Sequence, residues 1–273
     1  MKLHRHWWRG GGRSCRSCFT TDQRERLERL LHAAAERGLR GARPLSIEDF
    51  STLPPADPHE VTTRLPTFRR EALPSDTAPL LHYPIRPLPR LALLGTSLKS
   101  DGDVREFNGA WSPALQRFRP QALVAPAPVL LALADFIQRR PVSLNSLTHP
   151  IVALSGPSYG VLSTQDRDRL WHTWRVPLFE QFRGCHDELL AWECEAHCGL
   201  HFDDAQLLIE ASEGDSGLLI TDLTSLDYPV LRLASGVEGT IETAPCGCGR
   251  TLPRLANLKS TQGIRAIQAA AAV

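Results

Sequence analysis

Residues 120–182 read PQALVAPAPVLLALADFIQRRPVSLNSLTHPIVALSGPSYGVLSTQDRDRLWHTWRVPLFEQF, and this stretch sets the fold class. Residues 122–124 form a short apolar run that reads as a strand. Residues 129–139 read as a helix, with Leu130, Leu133, Ala134 and Ile137 on one face. Residues 151–154 read as a strand ending in Ser155-Gly156-Pro157. A helix is expected over 163–173, capped by Ser163 or Thr164, with Asp166 in the first turn where the helix dipole favours acids. Residues 178–182 are again strand-like. Strand and helix alternate at the spacing of crossover units, which predicts an α/β domain whose parallel or mixed sheet carries helices on its faces.

Upstream, 91–94 read as a strand and 112–119 as a weak helix. Residues 20–37 read as a helix, capped by Thr20 or Thr21, striped by Leu27, Leu30, Leu31 and Ala34, and stopped by Gly38. Between 44 and 90 lie Pro44, Pro54, Pro55, Pro58, Pro66, Pro74, Pro79, Pro84, Pro87 and Pro89, a density that forbids long helices and breaks sheet ladders. From 189 onward short apolar runs at 207–210, 217–221 and 229–233 predict a β-rich part, and the tail from 253 to 273 is expected to close with a weak alanine-rich helix. The expected organisation is a basic tail at 1–18, a helix with a proline-rich wrapping segment at 19–90, an α/β core at 91–188, a β-rich metal-binding part at 189–260 and a tail at 261–273.

The 273 residues suffice for one large domain or two modest ones, and 42% apolar with 22% charged is ordinary for a globular protein. A formal net charge of +1 gives no whole-chain argument for nucleic acid or a membrane surface. Residues 1–18 carry Lys2, Arg5, Arg9, Arg13 and Arg16 with no acid, and no apolar stretch of signal-peptide length follows them. No window approaches the roughly 18 apolar residues of a membrane span. The seven cysteines cluster as Cys15 and Cys18, then Cys185, Cys194 and Cys198, then Cys246 and Cys248. Without an export signal the expectation is a reducing cytoplasm, where grouped cysteines are metal ligands more often than disulfides.

The sharpest local feature is Glu193-Cys194-Glu195-Ala196-His197-Cys198-Gly199-Leu200-His201, followed by Pro245-Cys246-Gly247-Cys248-Gly249. Zinc takes four thiolate or imidazole ligands in a tetrahedron, usually as two close pairs. The glycines of the second segment let the backbone fold round an ion. The first segment offers Cys194, His197, Cys198 and His201, two more than a tetrahedron needs. The favoured set is Cys194, His201, Cys246 and Cys248, a closed site and therefore a structural one.

These segments, with Ala191-Trp192, Leu218-Leu219-Ile220-Thr221-Asp222-Leu223-Thr224, Tyr228-Pro229-Val230-Leu231-Arg232 and Arg250-Thr251, resemble the phenylacetate–CoA ligase branch of the adenylate-forming superfamily. Arg117-Phe118-Arg119-Pro120 and the segment Ser51-Thr52-Leu53-Pro54 extend the resemblance upstream. It implies the N-terminal core of such an enzyme, a mixed sheet with flanking helices. It also implies a structural zinc on Cys194, His201, Cys246 and Cys248, and a reaction that joins a carboxylate to AMP and then to coenzyme A.

The sequence departs from that pattern where the chemistry is done. No Ser/Thr/Gly-rich phosphate loop is found; the nearest stretch, 95–102, carries Asp101 and borders Asp103, which repel phosphate. In Phe182-Arg183-Gly184-Cys185-His186-Asp187-Glu188, His186 falls where the family places a metal-associated Glu, and imidazole is a poor ligand for Mg²⁺. In Arg232-Leu233-Ala234-Ser235-Gly236-Val237, Val237 stands where an Asp holds the ribose hydroxyls. Pro157 replaces an expected Glu beside the nucleotide. The chain ends soon after Arg250, so the mobile C-terminal lid is expected to be absent. The expectation is a non-catalytic homologue in which ATP and CoA binding is doubtful. Its expected partners are a full-length ligase, an acyl-carrier protein or a second copy of itself. The alternative is a ligase completed by a partner chain.

Overall fold

The computed structural model describes residues 19–38, 45–61, 63, 79–140, 142–185, 187–212 and 217–261. They fall into two compact units, one built from residues 1–74 and 203–236, the other from 75–202 and 237–273. Among the described residues, strands are numbered β1–β12 and helices α1–α5 along the chain.

In the first unit, helix α1 (Thr21–Glu36) begins at a capping box in which Thr20 and Gln23 satisfy each other's backbone N–H groups. Its stripe of Leu27, Leu30, Leu31 and Ala34 is fully buried, as its periodicity predicts. The single turn α2 (Ile47–Phe50) adds Ile47 and Phe50 to the same core, which Leu208, Leu223 and Leu231 complete. Strands β8 (Leu207–Ala211), β9 (Leu218–Asp222) and β10 (Leu233–Ala234) form an antiparallel sheet in the order β10-β9-β8. The strand expected over 229–233 shrinks to β10. Pro229 has no N–H to donate, and Arg232 sits at φ 52°, outside extended backbone.

The second unit is built on a nine-stranded mixed sheet. Strands β1 (Leu91–Leu94), β2 (Val104–Phe107), β3 (Ala122–Pro126), β4 (Ile151–Ser155) and β5 (Leu178–Arg183) run parallel in the order β2-β1-β3-β4-β5. Strands β6 (Leu189–Glu193), β7 (Leu200–His201), β12 (Arg254–Ser260) and β11 (Val237–Glu242) continue it antiparallel. Helices α3 (Pro113–Phe118), α4 (Ala127–Arg139) and α5 (Thr164–Trp174) connect the parallel strands. Leu130, Leu133 and Ala134 of α4 and Leu170 of α5 pack with Ala92, Leu123, Ala125, Ile151 and Ala153 of the sheet. A second buried cluster combines Leu81, Tyr83 and Leu98 with Leu91, Leu93, Val124, Val152 and Leu154. Both faces of β1, β3 and β4 are therefore covered, which is why these strands read as unbroken apolar runs.

The tail that is expected to close in a helix begins with a strand. Residues Arg254–Ser260 are β12, hydrogen-bonded to β7 on one side and β11 on the other. The alanine-rich residues beyond 261, the tail at 1–18 and Cys15 and Cys18 lie outside the described residues.

Candidate metal centre

Cys194 opens the turn that follows β6, His201 lies on β7, and Cys246 and Cys248 lie on the loop between β11 and β12. One donor atom from each gathers within 4.8 Å of the others. The Cys194 and Cys246 sulfurs are 3.6 Å apart, and the Cys248 sulfur is 3.4 Å from His201 Nε2. A zinc ion about 2.3 Å from sulfur and 2.0 Å from nitrogen sets tetrahedral edges of roughly 3.6–3.8 Å, so these two edges already have the span an ion requires. Cys194, His201 and Cys246 are buried and Cys248 is half-buried. Three sulfurs, one imidazole and no carboxylate make a soft, closed donor set that can hold a metal ion.

The local backbone explains the convergence. Gly199 adopts φ +114°, and a Cβ there would come within 2.5 Å of the Leu255 carbonyl oxygen, so only glycine lets this turn pass close to β12. The knuckle closes through the Cys246 N–H to Arg250 O at 3.2 Å and the Gly249 N–H to Cys246 O at 2.9 Å. His201 Nδ1 lies 3.2 Å from the Leu252 carbonyl, which takes its proton and leaves Nε2 as the ligand atom. Arg250 donates to Glu195 Oε2 at 2.9 Å, tying the two ligand-bearing segments together.

The thiols differ in acidity. Burial pushes the Cys194 thiol up to about 11. Burial also resists ionisation of Cys248, but hydrogen bonds from the Arg250 backbone and side chain outweigh it and bring that thiol down to about 6.

The two remaining candidates of the upstream segment lie elsewhere. The His197 Nδ1 is 2.9 Å from Glu193 Oε1 and the ring packs on Phe179 with centroids 4.9 Å apart. Cys198 is exposed and donates to the Ala196 carbonyl. Beside the centre runs a buried ionic network invisible to motif reading. Arg167 of α5 reaches Glu180 Oε2 at 2.6 Å and both oxygens of Glu193 at 3.0–3.1 Å, and the Glu180 N–H donates to Glu193 at 2.7 Å. Its residues stand on three separate elements with no common spacing.

The positions that the resemblance sets beside a nucleotide make internal contacts. At the end of β4, a Cβ on Gly156 would lie 2.1 Å from the Arg183 carbonyl oxygen. The Arg183 side chain is 1% exposed and bonds the Leu80 and Asp187 carbonyls and the Gln181 side chain. Burial lowers its guanidinium to about 10. Tyr159 donates to Asp187 Oδ1 at 2.7 Å, and burial raises the Tyr159 hydroxyl. Val237 is 1% exposed at the start of β11. In the 95–102 loop, the Ser97 hydroxyl donates to Glu106 at 2.7 Å and the Lys99 backbone pairs with residues 79–81. His186 lies outside the described residues. Among the described residues, no helix is long and apolar enough to cross a membrane.

No family model matches the chain, and no curated protein does. Among solved structures it is similar to 2-hydroxyisobutyryl-CoA ligase. An open conformation in complex with 2-HIB-AMP and CoA aligns at 14% identity over 85% of this chain and 67% of that one, with a TM-score of 0.56. The thioesterification-state complex with the same ligands aligns at 15% identity over 87% and 67%, with a TM-score of 0.58. A postadenylation complex with 2-HIB-AMP aligns at 14% over 85% and 65%, at 0.55. The chain thus shares the fold of 2-hydroxyisobutyryl-CoA ligase over about two thirds of that enzyme's length.

Proposed function

We propose that this protein is a zinc-stabilised homologue of the adenylate-forming ligases, nearest their phenylacetate–CoA ligase branch, that no longer makes adenylates and works as a binding or helper subunit. Zinc is favoured over other metals by the three thiolates and one imidazole. The observation that supports a loss of activity is the buried Arg183 side chain at the end of β5, committed to bonds with Leu80, Gln181 and Asp187. A buried Val237 supports the same reading, because it offers a ribose no acceptor. The partners proposed are a full-length ligase or an acyl-carrier protein.

The test is thermal shift with ATP, AMP and CoA, since a ligand that binds only the native state must raise its melting temperature. No shift at millimolar nucleotide is expected. A clear shift together with carboxylate-dependent pyrophosphate release would overturn the proposal. The second reading, a ligase completed by another chain, is favoured by the likeness to an enzyme solved with 2-HIB-AMP and CoA. It requires that pyrophosphate release appear on mixing with that chain and vanish without this one.

A further inference from the structure

From Phe107 to Gln165 the chain holds a single carboxylate, Asp135, and the structure pairs that one with Arg169. The same stretch supplies Arg117, Arg119, Arg139 and Arg140. Two rings carry three guanidiniums of the second unit. Arg105 lies 4.9 Å and Arg90 5.9 Å from the centroid of Phe118, which packs 5.7 Å from Phe107. Arg140 lies 5.7 Å from the centroid of Phe136, which stacks on Trp111 at 5.2 Å and 27°. Phe107, Trp111 and Phe118 are rooted in the core beneath the sheet, so these rings are held in place. The Arg90 Nε donates to the Arg119 carbonyl at 2.9 Å.

Arg105, Arg117, Arg119, Arg139 and Arg140 are exposed, and among the described residues none forms an ion pair. The bordering acid Glu106 accepts from Ser97, and Asp101 and Asp103 stand before β2.

We infer that the surface formed by β2, α3 and the end of α4 docks an acidic face of a partner protein. A guanidinium presents a planar fork that matches a carboxylate, and among the described residues none is paired with these arginines. Stacking on fixed rings restricts these long side chains beforehand, which lowers the ordering cost of binding. Arginine beside aromatic rings is also the composition of interface centres. The choice of protein over single-stranded nucleic acid rests on the rings. Phe118 and Phe136 already carry guanidiniums and Trp111 already stacks on Phe136, whereas nucleic-acid platforms need open ring faces for bases. This face is separate from the metal centre and from Arg183, and the inference stands whether or not adenylates are made.

The test is fluorescence anisotropy of the full chain with a labelled helical peptide of Glu-Ala-Ala-Ala-Glu repeats, and in parallel with a labelled fifteen-nucleotide oligothymidylate. Saturable, salt-sensitive peptide binding is expected. It should weaken at least tenfold in R117E/R140E and stay unchanged in R29E, a reversal of an exposed arginine on α1. All three proteins should keep the same melting temperature. Absence of peptide binding, an equal loss in R29E, or tighter binding of the oligothymidylate would each overturn the inference.

Discussion

The Nδ1 of His201 lies 3.2 Å from the carbonyl oxygen of Leu252, while Nε2 of the same ring lies 3.4 Å from the Cys248 sulfur. The backbone thus selects the tautomer whose free nitrogen faces the thiols. A cluster pre-set in this way should bind metal without rearrangement. The purified protein should contain about one equivalent of zinc, and Cys246→Ser should lose it along with more than about 4 kcal/mol of stability, the scale set by loss of a structural metal. Metal analysis with denaturant unfolding of both proteins checks this. A zinc-free wild-type protein with unaltered stability in Cys246→Ser would remove the assignment.

Gly199→Ala should act on the centre from outside the ligand set. The added methyl meets the Leu255 carbonyl at 2.5 Å and the φ of +114° is strained for any side chain. We expect a loss of about 2–4 kcal/mol and a metal affinity reduced on the order of tenfold or more, as for other supports of a metal ligand. Competition with a chromogenic chelator measures the second effect.

In the first unit, Arg232 pairs with Glu210 at 3.2 Å and also donates to the carbonyls of Ser51 and Leu53. Burial raises the Glu210 carboxyl above its ordinary value near 4.5, and Arg232 only partly opposes this. A raised folded-state pKa means the native state holds its proton more tightly than the unfolded chain. The contribution is therefore complete below the unfolded pKa and is lost as pH rises through the folded one. Arg232→Met should cost about 3–5 kcal/mol at neutral pH by leaving a buried carboxylate uncompensated. Part of that loss should return as the pH is lowered toward 4.5. Urea midpoints across pH would show it, and a pH-independent loss would contradict it.

Val237→Asp restores the residue type that the resemblance expects at the ribose position. Because Val237 is 1% exposed and begins β11, the new carboxylate is buried away from water. We expect about 3 kcal/mol or more of destabilisation and no gain of AMP affinity by calorimetry. Tight AMP binding in this variant would show that the nucleotide site needs only that acceptor.

The parallel half of the large sheet was legible because β1, β3 and β4 are covered on both faces and so spell continuous apolar runs. Strand β2 was not, since its exposed edge reads Val104-Arg105-Glu106-Phe107. Nor was β12, where Arg254, Asn257 and Lys259 interrupt the apolar pattern and Asn257 sits at φ 55° beside a bulge. Those strands exist through long-range pairing, which leaves no local signal. The four candidate ligands stood out because Cys and His are rare and closely spaced. Their supports did not, since a carbonyl such as that of Leu252 has no signature, and Arg167, Glu180 and Glu193 meet only after the chain has folded.

Between Phe202 and Val237 the chain leaves the large sheet to build β8–β10, and then returns. Cys194 and Cys246 stand 52 residues apart on either side of that excursion. An ion bound there is consequently a cross-link as well as a packing element. Closing a loop of that length removes on the order of 4 kcal/mol of chain entropy from the unfolded state, as a disulfide would. It also makes the excursion topologically an insertion whose two ends are clamped. Turns within 203–236 can then lengthen at a closure cost that grows only slowly with length, while the frame that holds the ends stays the same.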